Sequence, residues 1–204
     1  LKLAPAFEAK ICVVPYGCPE MAAQPPPALR QKGRLRVLYV GSLNQGKGLS
    51  YLAEAMSGLE EVAELTVIGS HTADKPCAAL DAFLAAHRHC SGLSHAEVLA
   101  EMQQHDVLVL PTLYEGLALV LLEAMACGLT VVTTPNSGLG DLIQDGQEGF
   151  VVPIRSAEAV RDRLKLLAAD ESLRQRMRSA ALGWSQEHSW QRFREEIRQV
   201  VRRG

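Results

Sequence analysis

The chain predicts an α/β fold: a parallel sheet of about six strands with helices on both faces, followed by further helices at its C-terminal end. Two observations lead there. Short apolar runs of strand length alternate with segments of helical periodicity from Leu35 to Val152, as βαβ units require. Beyond Ser156 only helical periodicity remains.

Lys10 to Pro15 (KICVVP) has the composition of a short strand and is followed by the turn Tyr16-Gly17. Met21 to Gly33 carries Pro25-Pro26-Pro27 and no apolar period, which marks a linker or surface loop. Leu35 to Val40 (LRVLYV) is the first clear strand, and Gly41 to Gly48 (GSLNQGKG) a glycine-rich turn. Leu49 to Met56 opens a helix with apolar positions at Leu49, Leu52, Ala53 and Met56. Glu64 to Ile68 is a strand ending at Gly69-Ser70, and Cys77 to Ala86 is helical. A weak strand at Arg88 to Cys90 precedes a helix from Ala96 to Gln103. Asp106 to Leu110 is a strong strand, Leu117 to Ala126 a helix, and Leu129 to Thr133 and Gly149 to Val152 are the last strands. The helical tail breaks near Asp170 and again at Ser185 to Ser189. These signals divide the chain into a strand and Pro-rich linker (1–33), an α/β domain (34–187) and a terminal helix (188–204).

At 204 residues, 48% apolar and 22% charged, the chain has the makings of a soluble globular core. Its net charge of −2 argues against a nucleic-acid binder held by phosphate attraction. The Arg-rich segment from Arg161 to Arg203 reads first as a solvated helix face, while leaving contact with an acidic membrane surface open. Five scattered cysteines without a C-x-x-C pair support neither a disulfide framework nor a structural zinc site, and they fit a reducing cytoplasm. No apolar run reaches the roughly 18–20 residues of a membrane span, and the first residues do not resemble a signal peptide. The chain begins without Met, in what reads as mid-protein, so a domain of a longer protein is expected.

The chemistry concentrates in Thr112 to Gly128 (TLYEGLALVLLEAMACG). Glu123 is the one charge in an otherwise apolar helix, and an unpartnered buried carboxylate is unfavourable by several kcal/mol, to order of magnitude. No Lys or Arg occurs between Asp106 and Ile154, so Glu123 needs a distant partner, a raised pKa or a ligand. Glu115 stands on the preceding loop, with seven residues between the two acids. Open α/β sheets bind ligands in the crevice beyond the carboxyl ends of their strands, where free N–H groups near Leu117 to Val120 would suit an anion. On spacing alone, a solvated Glu115 and a Glu123 on the wet side of its helix stay open.

The turn GSLNQGKG nearly spells a P-loop, with Lys47 in the lysine slot, but Gly48 stands where a Mg²⁺-holding Ser or Thr is needed. Neither the G-x-G-x-x-G fingerprint nor an acid after the second strand supports an NAD enzyme. What remains is a phosphate site without metal, made of glycine turns, a helix start and Lys47.

Together, GSLNQGKGLSYLAEAM and EGLALVLLEAMACG resemble the nucleotide-sugar domain of retaining glycosyltransferases of family 4, one Rossmann-like half of a GT-B fold. The similarity continues through VVTTPNSGLGDLIQDGQEGFVVPIRSAEAV to SWQRF and covers nearly the whole chain; KICVVPYGC is similar to the family's interdomain segment. The resemblance puts the E-x7-E motif on Glu115 and Glu123. It implies that Glu123 accepts bonds from the donor's ribose hydroxyls and Glu115 from the sugar's. Lys47 would neutralise the leaving diphosphate, making Glu115 and Lys47 the catalytic pair. Gly41, Ser42, Gly116, Leu117, Ala118, Leu119 and Val120 would line the donor site. His95 lies in the loop where the family holds the base. The implied donor is a UDP- or GDP-type nucleotide sugar, with no cofactor and no metal. The acceptor, a sugar or lipid-linked sugar, would be held by an N-terminal domain not present here, so this piece alone should transfer little or nothing. A cytoplasmic place, at the inner face of a membrane, goes with that reading.

Two positions depart from the family's pattern. Gly46 replaces the Arg usual before the lysine, and Ala118 a usual glycine. They keep a non-catalytic nucleotide-sugar binding module in play. A glycosidase using the two acids and a nucleotide-sugar epimerase are the remaining alternatives.

Overall fold

The structure is a computed structural model that describes residues 12–19, 33–71 and 77–203. Within it, six strands form one parallel sheet: β1 (Leu35–Val40), β2 (Ala63–Ile68), β3 (Arg88–Cys90), β4 (Val107–Leu110), β5 (Thr130–Thr133) and β6 (Gly149–Val151). Their order is β3-β2-β1-β4-β5-β6. Helices follow the strands as α1 (Leu49–Met56), α2 (Ala78–Ala85), α3 (His95–Met102) and α4 (Leu119–Ala126), and the C-terminal part is α5 (Ala157–Ala169), α6 (Glu171–Glu187) and α7 (Trp190–Arg203).

The expected strands β1 and β3 and the expected helix α1 have the predicted bounds. On α1 the buried set is Leu49, Leu52, Ala55 and Met56; Ala53 is half-buried. Every residue of β4 and β5 is buried, which requires cover on both faces of the sheet. α1 packs on α5, and α4 on α6. The break at Asp170 has a local cause: its carboxylate caps α6 by accepting the Leu173 N–H at 2.9 Å.

Three expectations change. Cys12 to Pro15 carries no strand, while Lys10 and Ile11 lie outside the described residues, as does 21–32 of the Pro-rich linker. The segment instead crosses the end of α6, where the Cys18 N–H donates to the His188 carbonyl at 2.7 Å. The last helical break falls at His188-Ser189 alone, because α6 continues through Ser185 to Glu187. α4 begins at Leu119 rather than Leu117, since the Ala118 N–H donates to the Ser137 carbonyl at 2.9 Å and the chain stays extended up to that point.

At the amino end of the sheet, Asp106 accepts from Arg36 through Nη2 at 2.6 Å, Nε at 3.0 Å and the backbone N–H at 2.9 Å. Both side chains are buried, so this forked pairing is what makes their charges tolerable there. Among the described residues no helix is long and apolar enough to cross a membrane.

Candidate functional site

The strand order reverses between β1 and β4, and the loops that leave their carboxyl ends form a ledge at this switch point. These loops are residues 41–48 and 111–118. They are sewn together rather than merely adjacent. The Gly46 carbonyl accepts the Leu113 N–H at 2.8 Å and the Thr112 hydroxyl at 2.9 Å. Gly48 has φ +74°, and a Cβ there would run into the Pro111 carbonyl. The backbone itself thus forbids the Ser or Thr that a P-loop would have at this position.

A third loop holds the second in place. The Glu115 N–H donates to the Asn136 carbonyl at 2.8 Å, the Asn136 side-chain amide to the Leu113 carbonyl at 2.7 Å, and the Thr134 hydroxyl to the Thr112 carbonyl at 2.7 Å. Gly138, at φ +76°, passes so close to the Gly116 carbonyl that no side chain fits. The sequence reading assigned Thr112, Thr134, Asn136 and Ser137 no part in the site. For Thr134, Asn136 and Ser137 the only signal was the turn cluster Thr134 to Gly138, which says that the chain turns but not what it touches.

This scaffold brings Lys47 and Glu115 into a direct ion pair across the ledge. Both side chains are largely buried, and burial lowers the Lys47 ammonium's pKa despite its carboxylate partner. Glu123 lies one turn inside α4, and its Oε1 is 3.0 Å from Nε2 of His95, the first residue of α3. The distant partner of Glu123 is therefore an imidazole at the start of the helix that follows β3. His95 is fixed at the helix start by a capping box of Ser94 and Glu97. The Glu123 side chain remains 22% exposed, and one bond to His95 leaves most of its acceptor sites unfilled. Just past the end of α4, burial pushes the Cys127 thiol up to about 12, helped by the Glu123 charge, which disfavours the thiolate.

The other candidates sort clearly. Gly116 and Leu119 are exposed, Leu117 and Val120 half-buried. The Ala118 N–H is taken by the Ser137 carbonyl at 2.9 Å, and the residue is 5% exposed. The Gly41 N–H is likewise committed, to the Ile68 carbonyl at 3.0 Å. Ser42 receives the Tyr39 hydroxyl on its carbonyl at 2.9 Å.

Among the described residues, neither Glu115 nor Glu123 lines either of two cavities beside the sheet. One of about 460 Å³, lined by Leu43, Leu49, Leu80 and Phe83, adjoins the glycine-rich turn. A larger one of about 630 Å³ lies at the amino ends of β1 to β3, where Arg34, Arg36 and Arg88 are already paired with Glu64, Asp106 and Glu101.

The family model for Glycosyl transferases group 1 matches residues 21–184. Glycogen synthase from Mycobacterium tuberculosis (strain H37Rv) is 32% identical over 155 residues, which cover 73% of this chain and 37% of that protein. Among solved structures, sucrose-phosphate synthase from Thermosynechococcus elongatus superposes with a TM-score of 0.74 at 23% identity, over 83% of this chain and 45% of that one. Anabaena HepE in complex with UDP-glucose gives a TM-score of 0.74 at 16% identity, over 84% and 49%. These structures share the GT-B half predicted from the sequence. The chain spans less than half the length of each of these three proteins.

Proposed function

The chain belongs to the glycosyl transferases of group 1, and from that premise we propose that it is the donor-binding domain of a longer, retaining glycosyltransferase. The observation that carries this reading is the Lys47–Glu115 pair spanning the two loops of the switch point, with Glu123 one turn into the helix that follows. In this reading Glu123 receives the ribose hydroxyls of a nucleoside-diphosphate sugar as charge-assisted bonds, which are the strong kind. Glu115 turns its second oxygen to the hydroxyls of the transferred sugar. Lys47 stands where negative charge grows on the departing diphosphate, and a cation held there beforehand stabilises it without reorganising. Neither metal nor cofactor is required for these roles.

The acceptor, a sugar or lipid-linked sugar, belongs to the part of the protein outside this chain. The piece by itself then binds donor and transfers little or nothing. The whole enzyme would work in the cytoplasm, in peripheral contact with the membrane's inner face where its acceptor is lipid-linked. Gly46 favours a second reading, a binding module that has lost catalysis, because a guanidinium at that position could fork onto phosphate in a way lysine does not. Ala118 adds little to it, being buried and turned to Ser137.

A thermal-shift panel of UDP, GDP, ADP and their sugars tests the donor site, with UDP first because HepE, which shares the fold, was solved with it. Ligand at about 100 times its Kd adds roughly 2.7 kcal/mol, so one base should raise Tm by several degrees, and Glu123→Ala should abolish the rise. A flat panel would overturn the reading. Incorporation of radiolabelled sugar by this chain alone would overturn the claim that transfer needs the rest of the protein.

A further inference from the structure

Tyr114 lies on the second ledge loop, directly before Glu115, and is 74% exposed. An exposed ring on a loop needs no explanation by itself, but the place of its hydroxyl does. A Cβ built on Gly46 would stand 3.0 Å from the Tyr114 hydroxyl and 3.2 Å from Oδ1 of Asn44. The phenol thus fills the side-chain space of residue 46, immediately before Lys47. The loop cannot drift away from there, because the Gly46 carbonyl is bonded to both Thr112 and Leu113, the two residues that lead into Tyr114. Among the described residues the hydroxyl has no hydrogen-bond partner, although its neighbours Lys47 and Glu115 are paired. A solvent-facing O–H donor therefore rests against the turn at residue 46, one position before Lys47 and one before Glu115 in their respective loops.

We propose that Tyr114 is a diphosphate-binding residue, its phenol donating to a phosphate oxygen from the space that a side chain at position 46 would otherwise occupy. The inference rests on the donor-site reading and deepens it. An acceptor of dense negative charge fits a phenol on the turn that carries Lys47 better than a neutral sugar hydroxyl does, since a hydrogen bond to a charged group is about twice as strong. It also gives Gly46 a role: the absent side chain is what lets the ring lie down on the turn. Glycine here is then a fit to tyrosine rather than only the loss of a cation.

The test uses the 204-residue chain, calorimetry, and whichever of UDP, GDP or ADP protects it, each against its monophosphate. Tyr114→Phe keeps the ring and removes the donor. It should weaken the diphosphate roughly tenfold and leave the monophosphate within about twofold. Gly46→Ala, whose methyl group crowds the phenol oxygen, should reproduce that selective loss, and the double variant should lose no more than Tyr114→Phe alone. Equal loss of mono- and diphosphate overturns the proposal, as does additivity of the two substitutions. An unchanged diphosphate affinity in Tyr114→Phe, with loss only of the nucleotide sugar in Tyr114→Ala, would make the ring a sugar platform and also overturn it. If a nucleoside diphosphate binds and Tyr114→Phe is silent, this inference alone falls; if none binds, the donor-site reading falls with it.

Discussion

His95 Nε2 lies 3.0 Å from Glu123 Oε1, joining the first residue of α3 to the second turn of α4. The contact answers a carboxylate on an apolar helix with an imidazole whose side chain is 66% exposed. Such a pair adds little to stability, because the histidine loses almost nothing by facing water instead.

Glu123→Leu should therefore fold at least as well as the parent. Leu121, Leu122, Ala124, Met125 and Ala126 around it are all buried, so one more aliphatic side chain extends a packed surface. Urea unfolding should give a stability unchanged or up to about 1 kcal/mol higher, while protection by nucleotide disappears. A large loss of stability would mean that Glu123 is structural.

The Lys47–Glu115 pair predicts the opposite balance. Lys47→Met leaves a Glu115 carboxylate with 17% side-chain exposure and no cation, at a cost of about 1–3 kcal/mol. Diphosphate affinity should fall at least tenfold, and monophosphate affinity less. Glu115→Gln, which leaves behind the more exposed member of the pair (28% against 17%), should cost less in the same urea series.

Gly48 and Gly58 separate backbone strain from collision. Both have positive φ, +74° and +83°, but a Cβ on Gly58 meets nothing within 4 Å whereas one on Gly48 meets the Pro111 carbonyl. Gly58→Ala should cost about 1 kcal/mol. Gly48→Ala should cost about 3 kcal/mol or more and, by displacing Lys47, weaken nucleotide binding.

Stability should fall on mild acidification through His105. Burial lowers its pKa from the ordinary histidine value, and its Nδ1–H donates to the Glu101 carbonyl at 2.6 Å. Between the folded and the unfolded pKa the unfolded chain binds more protons, so stability rises with pH in that window. Its contribution is complete above about 6.5 and is lost as pH falls toward the lower folded value. His105→Gln should flatten the dependence of urea midpoint on pH from 7 to 5, and an unchanged slope would assign it elsewhere, with His87 next, whose pKa burial also lowers.

Much of this molecule was legible in short windows of sequence. The runs Leu35–Val40 and Leu49–Met56 are bounded by glycine, and their edges coincide with β1 and α1. Asp170 announced its break because a capping carboxylate acts on the residues beside it. The start of α4 was misplaced by two residues because the hydrogen bond that delays it comes from Ser137, on another loop. Asn136 and Thr134 were passed over for the same reason: their side chains serve backbone more than twenty positions away.

The sequence by itself determined the order of elements, the family and the two acids, since periodicity, turn residues and a lone charge in an apolar helix are properties of neighbours along the chain. Only the tertiary structure decided whom those acids meet: Glu115 finds Lys47 across 68 positions and Glu123 finds His95 across 28. The first of those meetings lies where loops close on one another through Gly46, Gly48 and Gly138. A bond made by one loop's carbonyl to another loop's N–H leaves no period in either sequence to betray it.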